Sequence, residues 1–176
     1  MRRRVCVLIL VVAVLVTGSA GARAQQILVP MDLSQSNHLK AYGLAFFALT
    51  KGHSVDWLLN YKGGSFLIPA AEDVVLEARL RDVSFQPVTG SDVAQIQAEI
   101  AQNNMETVRL EKAPKVAIYV PPLKQPWDDA VMLALEYAQV PYTRVFDEDV
   151  LAGDLTKYDW LHLHHEDFTG QYSKFY

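Results

Sequence analysis

The sequence predicts an α/β fold built on a largely parallel, Rossmann-like or flavodoxin-like sheet. Two observations carry this expectation: short apolar runs alternate with longer segments of helical periodicity, and the alternation starts again near residue 113, giving two βαβ units. The 176 residues are 51% hydrophobic and 20% charged, an ordinary globular composition that excludes a disordered, collagenous or coiled-coil chain.

Residues 1–24 read as a secretory signal peptide. Arg2, Arg3 and Arg4 form a positive end, residues 5–16 are an unbroken apolar run, and small residues lead to Ala22 and Ala24, so cleavage is expected between Ala24 and Gln25. As a helix the apolar run spans about 18 Å, too short for the roughly 30 Å hydrocarbon core, so no stable membrane span is expected after cleavage. The expected location is therefore periplasmic or extracellular. Cys6 is the only cysteine and lies inside the apolar run, so the body has neither disulfides nor a thiolate nucleophile. Without Arg2, Arg3, Arg4 and Arg23 the body holds 12 basic and 20 acidic residues, a net charge of −8. Nucleic acid is not the expected partner, since phosphate binding needs a basic surface.

The first unit, residues 25–112, opens with an apolar strand at 27–31 and a polar turn. A helix follows over 37–51, with Leu39, Tyr42, Phe46 and Leu49 at helical spacing, Asn37 as cap and Gly52 as terminator. A second strand at 55–59 completes a βαβ unit, which predicts two parallel strands and a right-handed crossover. A helix over 70–82 has Val74, Ala78 and Arg81 marking one side and Glu77 four residues before Arg81 as an ion pair, with its polar side solvated. A strand at 84–88 precedes a helix with Val93, Ile96 and Ile100, for which Asp92 and Gln95 suggest a capping box. Residues 105–112 alternate weakly, as a strand or a linker.

The second unit, residues 113–176, repeats the pattern. A strand at 116–120 leads through a proline-rich loop to an apolar helix over 127–139, a strand at 143–146, an acidic helical turn, and a last strand at 160–163. The sequence stops a few residues later, with Tyr172, Phe175 and Tyr176 among its final five residues. A parallel strand needs a covering helix, so an α/β body incomplete at its C-terminus is expected.

In parallel sheets, ligands bind beyond the carboxyl ends of the strands. The segments there are polar, and a small polar ligand or substrate is the expected partner. The candidate ligand-binding residues are Gln35, Asn37, His38, Lys62, Gly63, Gly64, Asp128 and Asp129. His162-Leu163-His164-His165-Glu166-Asp167 gathers three of the five histidines with two carboxylates. His164, His165 and Glu166 are the candidate acid/base residues, while His162, His164, Glu166 and Asp167 are a candidate set for a divalent metal, since imidazole with carboxylate suits zinc, iron or manganese. Packing of these histidines is the structural alternative. Lys62-Gly63-Gly64-Ser65 lacks both the P-loop and dinucleotide fingerprints, and no Gly-x-Ser-x-Gly elbow occurs.

Three stretches together, Gln35-Ser36-Asn37-His38-Leu39-Lys40 with Trp57-Leu58-Leu59-Asn60-Tyr61-Lys62-Gly63-Gly64-Ser65, then Lys124-Gln125-Pro126-Trp127-Asp128-Asp129-Ala130, and finally residues 158–171, resemble a family of exported bacterial proteins labelled asparagine synthetase B. The resemblance covers nearly all of residues 25–176. It implies a fold similar to class I glutamine amidotransferase-like domains, in proteins that continue beyond Tyr176, and the label implies amidotransferase or ligase activity. Glutamine-dependent asparagine synthetases use an N-terminal cysteine and a Ser-Gly-Gly-x-Asp-Ser loop; here Gln25 follows the leader and Gly63-Gly64-Ser65-Phe66 lacks the aspartate. The residues therefore leave three readings: a small-polar-ligand protein, enzymatic or not; a non-catalytic envelope binding or structural module; and the activity in the label.

Overall fold

The computed structural model describes residues 25–120 and 130–163. The signal segment and its expected cleavage site at Ala24 lie outside them, whereas Gln25 already joins the fold, accepting from the Ala70 N–H at 3.0 Å and donating to the Val88 carbonyl at 3.1 Å. β1 (Gln26–Val29), α1 (His38–Thr50) and β2 (Val55–Leu59) follow closely the segments marked by the apolar pattern. Asn37 caps α1 by accepting from the Lys40 N–H at 3.1 Å, and Gly52 beyond the helix end has φ 82°.

The topology then departs from the expected parallel pair. A 3-10 turn, Tyr61–Gly63, reverses the chain, and β3 (Ser65–Pro69) runs back antiparallel to β2 with Trp57 opposite Phe66. β3 also pairs antiparallel with β1, Ile27 opposite Ile68, and so stands between β1 and β2. Those two strands point the same way but are not neighbours. After α2 (Glu72–Leu80), β4 (Gln86–Val88) pairs antiparallel with the other side of β1. The result is a split βαβ arrangement of the ferredoxin-like kind. α3 (Gly90–Gln102) leads from the β4 edge to β5 (Glu106–Leu110), which pairs antiparallel with β2 and resolves the weakly alternating segment as a strand. The sheet order is β4-β1-β3-β2-β5.

Strict alternation of side chains explains the layers. Ile27, Val29, Val55, Phe66 and Ile68 point to one face and pack on Leu44, Ala45 and Ala48 of α1 and Val74 and Ala78 of α2. Leu28, Leu58 and Leu67 point to the other and pack on Ile96 and Ile100 of α3.

The second unit keeps the expected parallel order. β6 (Val116–Tyr119), α4 (Ala130–Ala138), β7 (Tyr142–Val145), α5 (Asp147–Leu151), a 3-10 turn Asp154–Lys157 and β8 (Trp160–Leu163) form a three-stranded parallel sheet of order β7-β6-β8.

α1 and α4 hold the two sheets together. Gly43 of α1 lies so close to α4 that a methyl group there would overlap the Ala138 carbonyl oxygen. Arg81 pairs with Glu77 at 2.7 Å and is buried together with Val74 and Ala78, the side on which the spacing set it: it is 6% exposed and donates to the Ala138 carbonyl at 2.8 Å. The cap of α3 also differs from the expected one. Thr89 accepts from the Asp92 N–H while the Asp92 carboxylate takes the Thr89 N–H at 2.7 Å, so Asp92 is the third helical residue of the box rather than its first member.

Candidate functional site

From β6 the chain goes to β7 on one side and then to β8 on the other. The strand order therefore switches between β6 and β8, and beyond their carboxyl ends lies the crevice in which open parallel sheets bind ligands. Among the described residues this edge carries Tyr119, Val120, Asp147, His162 and Leu163. The Tyr119 hydroxyl donates to Asp147 Oδ1 at 2.5 Å, tying the end of β6 to the start of α5. The Val120 N–H extends the ladder to the Val145 carbonyl at 3.0 Å.

His162 stands opposite Ile118 in the register. Its ring meets Trp160 edge-on at 6.5 Å, on the face of β8 away from Leu161 and Leu163. Leu161 and Leu163 instead line a pocket of about 420 Å³ with Tyr119, Val150, Leu151 and Leu155. Asp128, Asp129, His164, His165, Glu166 and Asp167 lie outside the described residues, so of the candidate metal set only His162 is placed. Among the described residues no three histidines, cysteines or carboxylates gather as a metal would require.

The other candidate residues cluster at the carboxyl ends of β1 and β2. The Met31 N–H donates to the Lys62 carbonyl at 2.9 Å, which brings the 31–38 segment against the Lys62-Gly63-Gly64 turn. Gly63, at φ 78°, is needed there, because a side chain would overlap the Met31 carbonyl. His38 Nε2 lies 3.1 Å from the carbonyls of both Met31 and Asp32. The Ser34 hydroxyl and N–H, donating to Asp32, hold its carboxyl below the ordinary value, helped by the charges of Lys62 and His38.

The two amides here are consumed by the fold. Gln35 is buried; its Nε2 donates to the carbonyls of Pro30 (2.9 Å) and Ser84 (3.1 Å), and its Oε1 accepts from the N–H groups of Ser84 (2.9 Å) and Asn37 (3.3 Å). Asn37, besides capping α1, donates from Nδ2 to the Tyr137 hydroxyl at 2.6 Å. Tyr137 lies at the carboxyl end of α4, and a crossover helix runs opposite to its strands, so that end is at the amino edge of the parallel sheet. The first-unit cluster thus meets the carboxyl end of α4, whereas the β6/β8 edge is on the side of its amino end. Among the described residues the polar candidates stand in two places, one at the ends of β1 and β2 and one at the ends of β6 and β8.

Sequence reasoning also missed a cleft of about 670 Å³ between α1, β2 and β8, lined mainly by Tyr42, Phe46, Leu49, Trp57, Phe66 and Trp160. Its signal was available, since Tyr42, Phe46 and Leu49 share one side of α1. They read equally well as core positions.

No family model and no curated protein matches the chain. Among solved structures it is similar to a formyltetrahydrofolate deformylase from Pseudomonas putida KT2440, with 17% identity and a TM-score of 0.22, over 85% of this chain and 52% of that one. The chain spans about half the length of that protein, and a score of this size carries no argument about fold or activity. None of these comparisons supports the asparagine synthetase B label.

Proposed function

We propose that the protein is exported and binds a small polar ligand or substrate at the carboxyl edge of its parallel sheet, between the ends of β6 and β8. The single observation that supports this reading is the β7-β6-β8 order, whose switch point lies between the ends of β6 and β8; in the amino-acid sequence Asp128 and Asp129 come after β6, and His164, His165, Glu166 and Asp167 come after β8. In this reading His164, His165 and Glu166 serve as acid/base groups, and His162, His164, Glu166 and Asp167 are the residues that would hold a divalent metal.

Metal analysis and thermal-shift titration with zinc, manganese and a panel of small polar metabolites test it, comparing wild type with His164→Ala and Glu166→Ala. A rise in Tm for wild type that both variants lose supports the proposal; no response in wild type, or the same response in all three proteins, removes it. N-terminal sequencing of protein recovered from the periplasm or medium should begin at Gln25, and a retained leader would contradict export by cleavage.

A non-catalytic envelope binding module is the second reading, favoured by the commitment of Gln35, Asn37 and His38 to partners within the fold. Binding without turnover would distinguish it. Amidotransferase or ligase activity, as the label of the resembling family implies, would need glutamine hydrolysis that a point substitution abolishes.

A further inference from the structure

The two edges of the five-stranded sheet are built differently. β4 is three residues long with Pro87 at its centre, opposite Ile27, and proline cannot donate to an added strand. β5 is five residues long, contains no proline, and pairs with β2 in continuous register from Val55 opposite Leu110 to Leu59 opposite Glu106. Its outer edge makes no backbone hydrogen bond among the described residues, and its residues are exposed except for the half-buried Leu110. Among the described residues one edge is closed and the other is open.

The open edge also ends an apolar row. Val29 stands opposite Phe66, Phe66 opposite Trp57, and Trp57 opposite Val108, so four strands contribute to one line of side chains that stops at Val108, 38% exposed. Trp57 and Phe66 are stacked with ring centroids 6.1 Å apart.

The geometry points to β5 as the seam of a two-fold dimer, its occupant being β5 of a second copy in antiparallel pairing about Val108. A two-fold axis at that residue sets Val108 against its own copy, Thr107 against Arg109 of the second copy, and Glu106 against Leu110 of the second copy. No like charges stand opposite each other. Arg109 is drawn back towards its own sheet, to Ser54 at 2.6 Å and Asp56 at 3.5 Å, with Glu111 at 3.7 Å partly neutralising it. The apolar row then runs unbroken through eight strands, and cross-strand aromatic and β-branched neighbours are the pairs that stabilise sheets. Because Pro87 blocks the far edge, the assembly closes as a dimer instead of growing into a filament. The interface is independent of any ligand at the β6/β8 edge. A five-residue seam is small, so the affinity belongs to the weak class, on the order of 10 μM.

Sedimentation equilibrium of the whole protein, at concentrations up to on the order of 100 μM, should give a mass approaching twice that of the monomer. Val108→Lys and Val108→Glu each place like charges face to face at the axis and should reduce the mass to the monomer value. An equimolar mixture of the two variants should restore the doubled mass as a heterodimer. A wild type that stays monomeric overturns the inference, as does a Val108→Lys protein that still dimerises. Variants that lose dimerisation alone and fail to recover it when mixed overturn it as well.

Discussion

Arg81 shows how one side chain can decide the relation between two elements. Its guanidinium is buried, bound to Glu77 and to the carboxyl end of α4, and lies 5.8 Å from the centre of the Phe47 ring. Removing it leaves a carboxylate and a carbonyl without their partner, so Arg81→Ala should cost about 2–3 kcal/mol in urea unfolding. Asp159 is a surface counterpart. The Lys112 ammonium and the Lys115 N–H, each 2.8 Å away, hold its carboxyl below the ordinary value of 3.8. A lowered folded-state value means that the stabilisation is complete above the unfolded value and disappears as pH falls through the folded one. The Tm of wild type should therefore exceed that of Asp159→Asn at pH 6, and the gap should close as the pH falls below the ordinary value of 3.8 and through the lowered folded one.

Among the elements, α3 depends on its capping box: Thr89→Ala should lower stability by about 1 kcal/mol, read as a fall in Tm. Helices and isolated strands were legible in the sequence because periodicity and caps are local properties. The Asn37 cap, Gly52 terminator and Glu77–Arg81 pair stand where spacing put them. β3 was not legible as a strand. Its fully apolar Phe66-Leu67-Ile68 core follows two glycines, and both faces of the sheet bury it, so the alternation that marks a half-exposed strand is absent. That one omission turned a split, antiparallel arrangement into an expected parallel pair. At the site the same limit applied. Gln35 and Asn37 were recognised as polar groups at a strand end, but sequence does not reveal that their partners are Ser84 and Tyr137, 49 and 100 positions away.

At the scale of the molecule, the contact of Gly43 with Ala138 lets α1 and α4 meet backbone to backbone. Gly43→Val should force the helices apart, so that unfolding followed by tryptophan fluorescence and by circular dichroism no longer coincides, whereas wild type should give one shared transition. The insertion of β3 between β1 and β2 also bears on the order in which the chain assembles. β2 and β3 are joined by residues 60–64 alone, while Ile27 and Ile68 are 41 positions apart. Closing the short hairpin loses far less chain entropy, so Trp57 and Phe66 meet early and β1 completes the sheet afterwards. In stopped-flow experiments Phe66→Leu should mainly retard refolding, and Ile27→Val should mainly accelerate unfolding. The strand concealed in the sequence would then be the one around which the rest of the sheet is nucleated.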